Sequence, residues 1–221
     1  MTRFSLTTSP TAYNGKGTPP VDSLGRAVMA HNARWFIKVR WVVVAVFVTA
    51  GLISSFIPSV VTAMGLVAPR RWTWFMAAAL AAINVIFYML SRRLTEKSSD
   101  KIVTNNIWIQ IGADLIAITI LVHFAGSTST FISFTYLFHI ALACIFFPPL
   151  QSLLVTLLAS NLYLLCVSLE ILDIWPSAGL VPLFASHVLS RDLSMIFAMS
   201  AVFVWIVAWY LISTLSRIVR V

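Results

Sequence analysis

Charge is scarce in this sequence, and acid scarcest of all. Among 221 residues there are 7 Asp and Glu against 15 Lys and Arg, together 10% of the chain. A soluble domain carries about a quarter charged residues, so a fold with water on every side is excluded. Two cysteines exclude a disulfide scaffold. Eight glycines and nine prolines, without a period, exclude collagen-like and low-complexity chains. The motifs of soluble catalysis are missing too: there is no Walker loop, no HExxH, no GxSxG and no glycine-rich nucleotide loop. Nor does the chain carry the short alternating segments of a transmembrane β-barrel.

What fills the space is apolar: 60% of residues are hydrophobic. Crossing a hydrocarbon core of about 30 Å takes about 20 mostly apolar residues. Six stretches approach that length, over 41–60, 72–90, 107–124, 131–147, 152–172 and 193–214, the third and fourth being short. The expectation is an all-α polytopic membrane protein with six transmembrane helices in a bundle over 41–214. Ahead of it lie a disordered polar tail over 1–25 and a basic juxtamembrane segment over 26–40. Residues 215–221 are expected to be the cytoplasmic end of the last helix. The 26–40 segment reads equally as a surface amphipathic helix, with Val28, Trp35 and Phe36 toward lipid, or as ordinary helix flank.

Orientation follows from the basic residues. With both termini in the cytoplasm, twelve Lys and Arg fall inside, Arg34, Lys38 and Arg40 among them, and Arg70, Arg71 and Arg191 fall outside. The formal charge of +8 is thus a topology signal and an attraction to anionic membrane lipids, with no nucleic acid as partner. Trp35, Trp41, Trp108 and Trp209 fall near inner ends and Trp72, Trp74 and Trp175 near outer ends, as in an aromatic belt.

Ionisable and amide side chains at membrane depth are candidates for function. Asp114 stands ~10 Å from the inner edge of its span, Gln110 lies one turn earlier on the same face, and His139 stands ~12 Å from the outer edge of the next. Asn84 and Asn161 come out near the midplane. With Tyr136, one turn before His139, these six suggest a polar seam through the bundle. The competing reading makes the amides interhelical glue. Asp114 needs a partner or a raised pKa. His31, His123, His139 and His187 offer no matched pair for a haem, and no Cys/His/Asp spacing forms a metal set. Cys144 and Cys166 differ in expected height by ~11 Å, too far for a disulfide, which leaves them as packing residues.

The stretch 107–172 resembles the membrane sensor region of six-span bacterial histidine kinases, closest to the RegB-type redox-responsive kinases. The residues that carry the likeness are the intramembrane Asp114, the turn at Gly126, the run Phe138-His139-Ile140 and the following Pro148, with the basic lead-in RWFIKVRWVV over 34–43. The resemblance implies a signal-sensing module of a two-component kinase in the bacterial inner membrane. In that family the turn reads Gly-Gly-x-x-Asn-Pro-Phe and is associated with ubiquinone. Gly126 and Phe131 match it, while Ala125, Ser129 and Thr130 replace the first Gly, the Asn and the Pro. Quinone, the one cofactor class implied, therefore rests on two positions. Kinase domains would follow the sixth span, and this sequence stops at Val221. It is expected to be either the sensor part of a longer protein or a stand-alone descendant, with no catalytic residue of its own. A homodimer or a place in a larger complex is the expected assembly. Two other functions stay open: an accessory subunit of a respiratory or photosynthetic complex, and a small transporter with its site at the midplane.

Overall fold

In the computed structural model of the chain, residues 21–66, 71–92, 100–176 and 191–219 are described, with no strand among them. The helices are α1 (Val21–Phe56), the short α2 (Pro58–Ala63), α3 (Trp72–Arg92), α4 (Asp100–Ala125), α5 (Thr135–Phe146, preceded by a 3₁₀ turn, Phe131–Phe134), α6 (Pro149–Ile171) and α7 (Arg191–Val219). Among the described residues, five stretches are long and apolar enough to cross a membrane: Trp35–Phe56, Trp72–Arg92, Lys101–Ala125, Pro149–Ile171 and Arg191–Ser216. The fourth expected span, over 131–147, is the shorter apolar segment Phe131–Phe146, ~24 Å along its axis. The chain is a helical membrane bundle.

Local chemistry sets the breaks. Pro58 has no N–H and restricts the residue before it, so α1 stops at Phe56 and Ile57 turns out to φ −136°. Pro148 and Pro149 likewise separate α5 from α6, with Pro149 in the first turn of α6. Gly126 at φ +100° ends α4, a conformation that glycine adopts without strain.

Three expectations change. Helix α1 begins at Val21, inside the segment expected as tail, and runs unbroken through 26–40, as the helix-flank reading of that segment has it. Its apolar span starts at Trp35, not at 41, and ends at Phe56, not at 60. Phe36 does not face lipid: it is buried and meets Phe146 edge-on, whereas Trp35 is exposed. The side chain of Val28, residues 1–20 and the 177–190 segment lie outside the described residues.

The packing divides into two parts. Helices α4, α5, α6 and α7 share the larger core, around Ile111, Tyr136, Tyr163 and Trp205. Small residues on the buried face of α6, among them Ser152, Thr156, Ala159 and Ser160, let its neighbours approach closely. At one end Trp209 donates from Nε1 to Ser152 Oγ (3.0 Å) and Trp108 stacks on Phe147. Helices α1 and α3 form a smaller core of Val44, Phe47, Met76, Ala77 and Leu80, which α4 touches through Ala117, Ile120 and Leu121. At the opposite end Trp72 of α3 stacks on Phe124 of α4, with ring centroids 5.4 Å apart.

The α1–α3 crossing is close at Gly51, where an added Cβ would lie 2.8 Å from the Trp74 ring. Gly51→Leu is expected to destabilise the bundle by about 1–3 kcal/mol through overpacking, read as a lower thermal midpoint in mild detergent. Gly112→Ala, with nothing within 4 Å of its added Cβ, should not lower it.

Candidate functional site

Arg40 turns inward from α1 and is buried, although it is counted on the cytoplasmic side in the topology reading. It meets Asp114 of α4 with two parallel bonds, Nε to Oδ1 at 2.7 Å and Nη2 to Oδ2 at 2.8 Å. Its Nη1 donates to Gln110 Oε1 (3.1 Å), and its guanidinium lies 4.8 Å from the Phe87 ring centroid. The planar fork of Arg suits this two-point contact in a way Lys cannot reproduce. Gln110 in turn donates to Asn106 Oδ1 (2.6 Å). On the far side of the carboxylate, His139 of α5 places Nε2 3.6 Å from Asp114 Oδ2. One carboxylate thus faces two basic groups on two different helices.

Of the six residues of the expected seam, three meet here: Gln110, Asp114 and His139. Asn84 is buried close by and donates to the Ile37 carbonyl of α1 at 3.0 Å, which makes it interhelical glue. Tyr136 lies apart, its hydroxyl 2.6 Å from Thr119 Oγ1 and its ring 4.9 Å from that of Trp205. Asn161 does not join the seam: it is exposed, off the buried face of α6, and donates to Leu157 of its own helix (2.8 Å). Depth along a helix fixes height but not face, and the register of α6 turns Asn161 outward.

A second polar group sits where α4 ends. Glu170, near the end of α6, accepts from Ser127 Oγ through Oε2. Its Oε1 lies 3.1 Å from His123 Nδ1 and 3.8 Å from Cys166 Sγ. Tyr163 donates from its hydroxyl to the Ser127 carbonyl (3.1 Å), so α6 grips the turn after Gly126 twice. This turn borders a cavity of about 640 Å³ between the turn, α6 and α7. Gly126, Phe131, Tyr163 and Glu170 all line it. Phe131 is 87% exposed and free to form a wall for a ligand.

Four of these participants, Arg40, Glu170, Cys166 and His123, carry no site assignment from the sequence. Arg40 is hidden because counting basic flanks treats every arginine near a span as topology. Glu170 is an acid inside the 152–172 stretch, and the rule that singles out Asp114 would have found it. Cys166 and Glu170 are four apart and share a helix face, a signal that spacing does offer. His123, 47 residues from Glu170 in sequence, offers none.

No protein-family model, curated protein or solved structure matches the chain.

Removing one member of a buried ion pair leaves the other charge stranded, at a cost of about 3–5 kcal/mol, whereas replacing both by apolar residues is often neutral. Arg40→Met and Asp114→Leu are each expected to lower the unfolding midpoint in detergent strongly. The double variant should recover most of the loss, and equal additive losses would deny the pairing.

Proposed function

We propose that the chain is a signal-sensing membrane module of the sensor-kinase class, with six spans and both termini in the cytoplasm of a bacterial inner membrane. The observation that carries this reading is the shared carboxylate of Asp114, set between Arg40 of α1 and His139 of α5. A single negative charge with two partners on separate helices suits a two-state element, since strengthening one contact loosens the other. The partners belong to different parts of the bundle: Arg40 to the α1–α3 pair, His139 to the larger core. A shift between them would move α5, which packs directly on α7. Helix α7 would then carry the change toward the cytoplasm as the output rod. The resemblance of the 107–172 stretch to RegB-type sensors supports the same direction.

Quinone is the finer part of the proposal. The cavity behind Gly126 presents Phe131, Phe134 and Phe197 for a flat ring, with Ser, Thr and Tyr hydroxyls for its oxygens. Both positions that match the family turn, Gly126 and Phe131, belong to its lining.

The test joins the chain through α7 to a histidine-kinase core and measures autophosphorylation in inverted vesicles with the quinone pool oxidised or reduced. A coupling of 1–3 kcal/mol corresponds to roughly 5–150-fold, so the redox response should reach about fivefold and collapse in Asp114→Asn and His139→Ala. Phe131→Ala should weaken it. Activity that ignores all three substitutions and the pool would contradict the proposal. Because the kinase core needs cytoplasmic ATP, an inactive fusion whose reporter maps the end of α7 outside would contradict the topology.

A further inference from the structure

The group where α4 meets α6 has chemistry that the sensor reading does not use. His123 Nδ1, Cys166 Sγ and a carboxylate oxygen of Glu170 all lie within 4.8 Å of one another, with His123 and Cys166 buried and Glu170 half-buried. We infer that these three side chains form the binding site of a borderline divalent transition-metal ion of the zinc class. The inference stands on this cluster alone and does not depend on the sensor function.

Three features support it. The donor set is the first. A thiolate, an imidazole and a carboxylate together suit Zn²⁺ and its neighbours rather than Mg²⁺ or Ca²⁺, which take oxygen alone. Spacing is the second. Metal–ligand bonds of about 2.0–2.3 Å in a tetrahedron put the donors about 3.3–3.8 Å apart. Here Glu170 Oε1 stands 3.1 Å from His123 Nδ1 and 3.8 Å from Cys166 Sγ. Small side-chain rotations would seat an ion among them.

Support from the surroundings is the third. Ser127 donates to Glu170 Oε2 and so holds the other carboxylate oxygen toward the imidazole and the thiol, as outer-shell partners of metal ligands do. The Trp175 ring, 4.2 Å from the His123 ring, gives the site an apolar wall. Ser127 and Glu170 also line the 640 Å³ cavity, which supplies an approach path and room for a fourth ligand, a water or a small molecule. Three protein ligands with one open position is the pattern of reactive rather than purely structural zinc sites.

The charges balance. A divalent ion bound by thiolate, carboxylate and neutral imidazole gives a neutral site, which suits its apolar setting.

The chain is purified without a His tag, reconstituted in lipid nanodiscs and titrated with Zn²⁺, with Co²⁺ as the spectroscopic stand-in. One equivalent should bind, with release of the thiol proton. X-ray absorption of the zinc form should show one sulfur at about 2.3 Å and nitrogen or oxygen at about 2.0–2.2 Å, and the cobalt form should show a thiolate charge-transfer band. Cys166→Ser should abolish the sulfur signals and weaken binding by at least the roughly 10–100-fold that losing even an outer-shell partner costs. Cys144→Ser, at the other buried cysteine, should change nothing. No stoichiometric binding, a coordination shell without sulfur, or a sulfur signal that survives Cys166→Ser would each overturn the site. The absorption measurement on the unsubstituted chain decides the ligand set even where a variant folds poorly.

Discussion

A carboxylate placed among apolar helices must find positive charge or give up its own, because neither water nor lipid tails can solvate it there. Asp114 meets that demand with Arg40, and the rest of the bundle is arranged around the meeting. The α1–α3 pair has its own small core, and α4 through α7 have another. Between them the apolar seam is thin, formed on the α4 side by Ala117, Ile120 and Leu121. The two-point Arg40–Asp114 contact crosses that seam, with Gln110 and the Phe87 ring completing the surroundings of the guanidinium. It fixes the height and rotation of α1 against α4 more sharply than apolar side chains alone can, since bidentate pairing is directional and burial is not.

A joint of this kind holds two parts of the bundle together, and it is the element that the sensor proposal asks to switch. His139 stands 3.6 Å from the same carboxylate on the opposite flank, so the joint is bordered by a third helix that has its own interest in the charge. The second polar group, around Glu170, does for the α4–α6 end what Arg40 does for the middle. It ties the turn after Gly126 to α6 through the Ser127 hydroxyl and carbonyl. Between the two lies the aromatic cluster of Tyr136, Tyr163 and Trp205, with Trp205 fully buried and its ring 4.9 Å and 5.1 Å from the two tyrosines. Large rigid rings in mutual contact leave little slack, so the middle and the end of the bundle are mechanically close.

Much of this was legible in the sequence, for definite reasons. Apolar runs of the right length mark the helices because hydrocarbon demands them, and Pro58, Gly126 and the Pro148-Pro149 pair mark three of the breaks because their backbone chemistry is local. Asp114, Gln110 and His139 stand out because polar groups in such runs are costly. What stayed hidden is what depends on rotation and on distant partners. Arg40 reads as one more basic flank until α1 is turned to face α4. Asn161 reads as part of the seam until the register of α6 places it beside Ser160, one residue off the buried face. The Glu170–His123 pair joins residues from two helices whose contact no local pattern announces, although an acid within an apolar run was itself a signal.

The central claim is that Arg40 and Asp114 are paired inside the bundle in a lipid bilayer. Solid-state NMR tests it directly, by recoupling guanidinium ¹⁵N of arginine to carboxyl ¹³C of aspartate in the reconstituted chain. A strong short-range dipolar coupling is expected, and it should disappear in both Arg40→Met and Asp114→Asn, the Arg191–Asp173 contact being exposed and too long, at 3.7 Å, to replace it. Absence of that coupling in the unsubstituted protein, or its survival in both variants, would contradict the account.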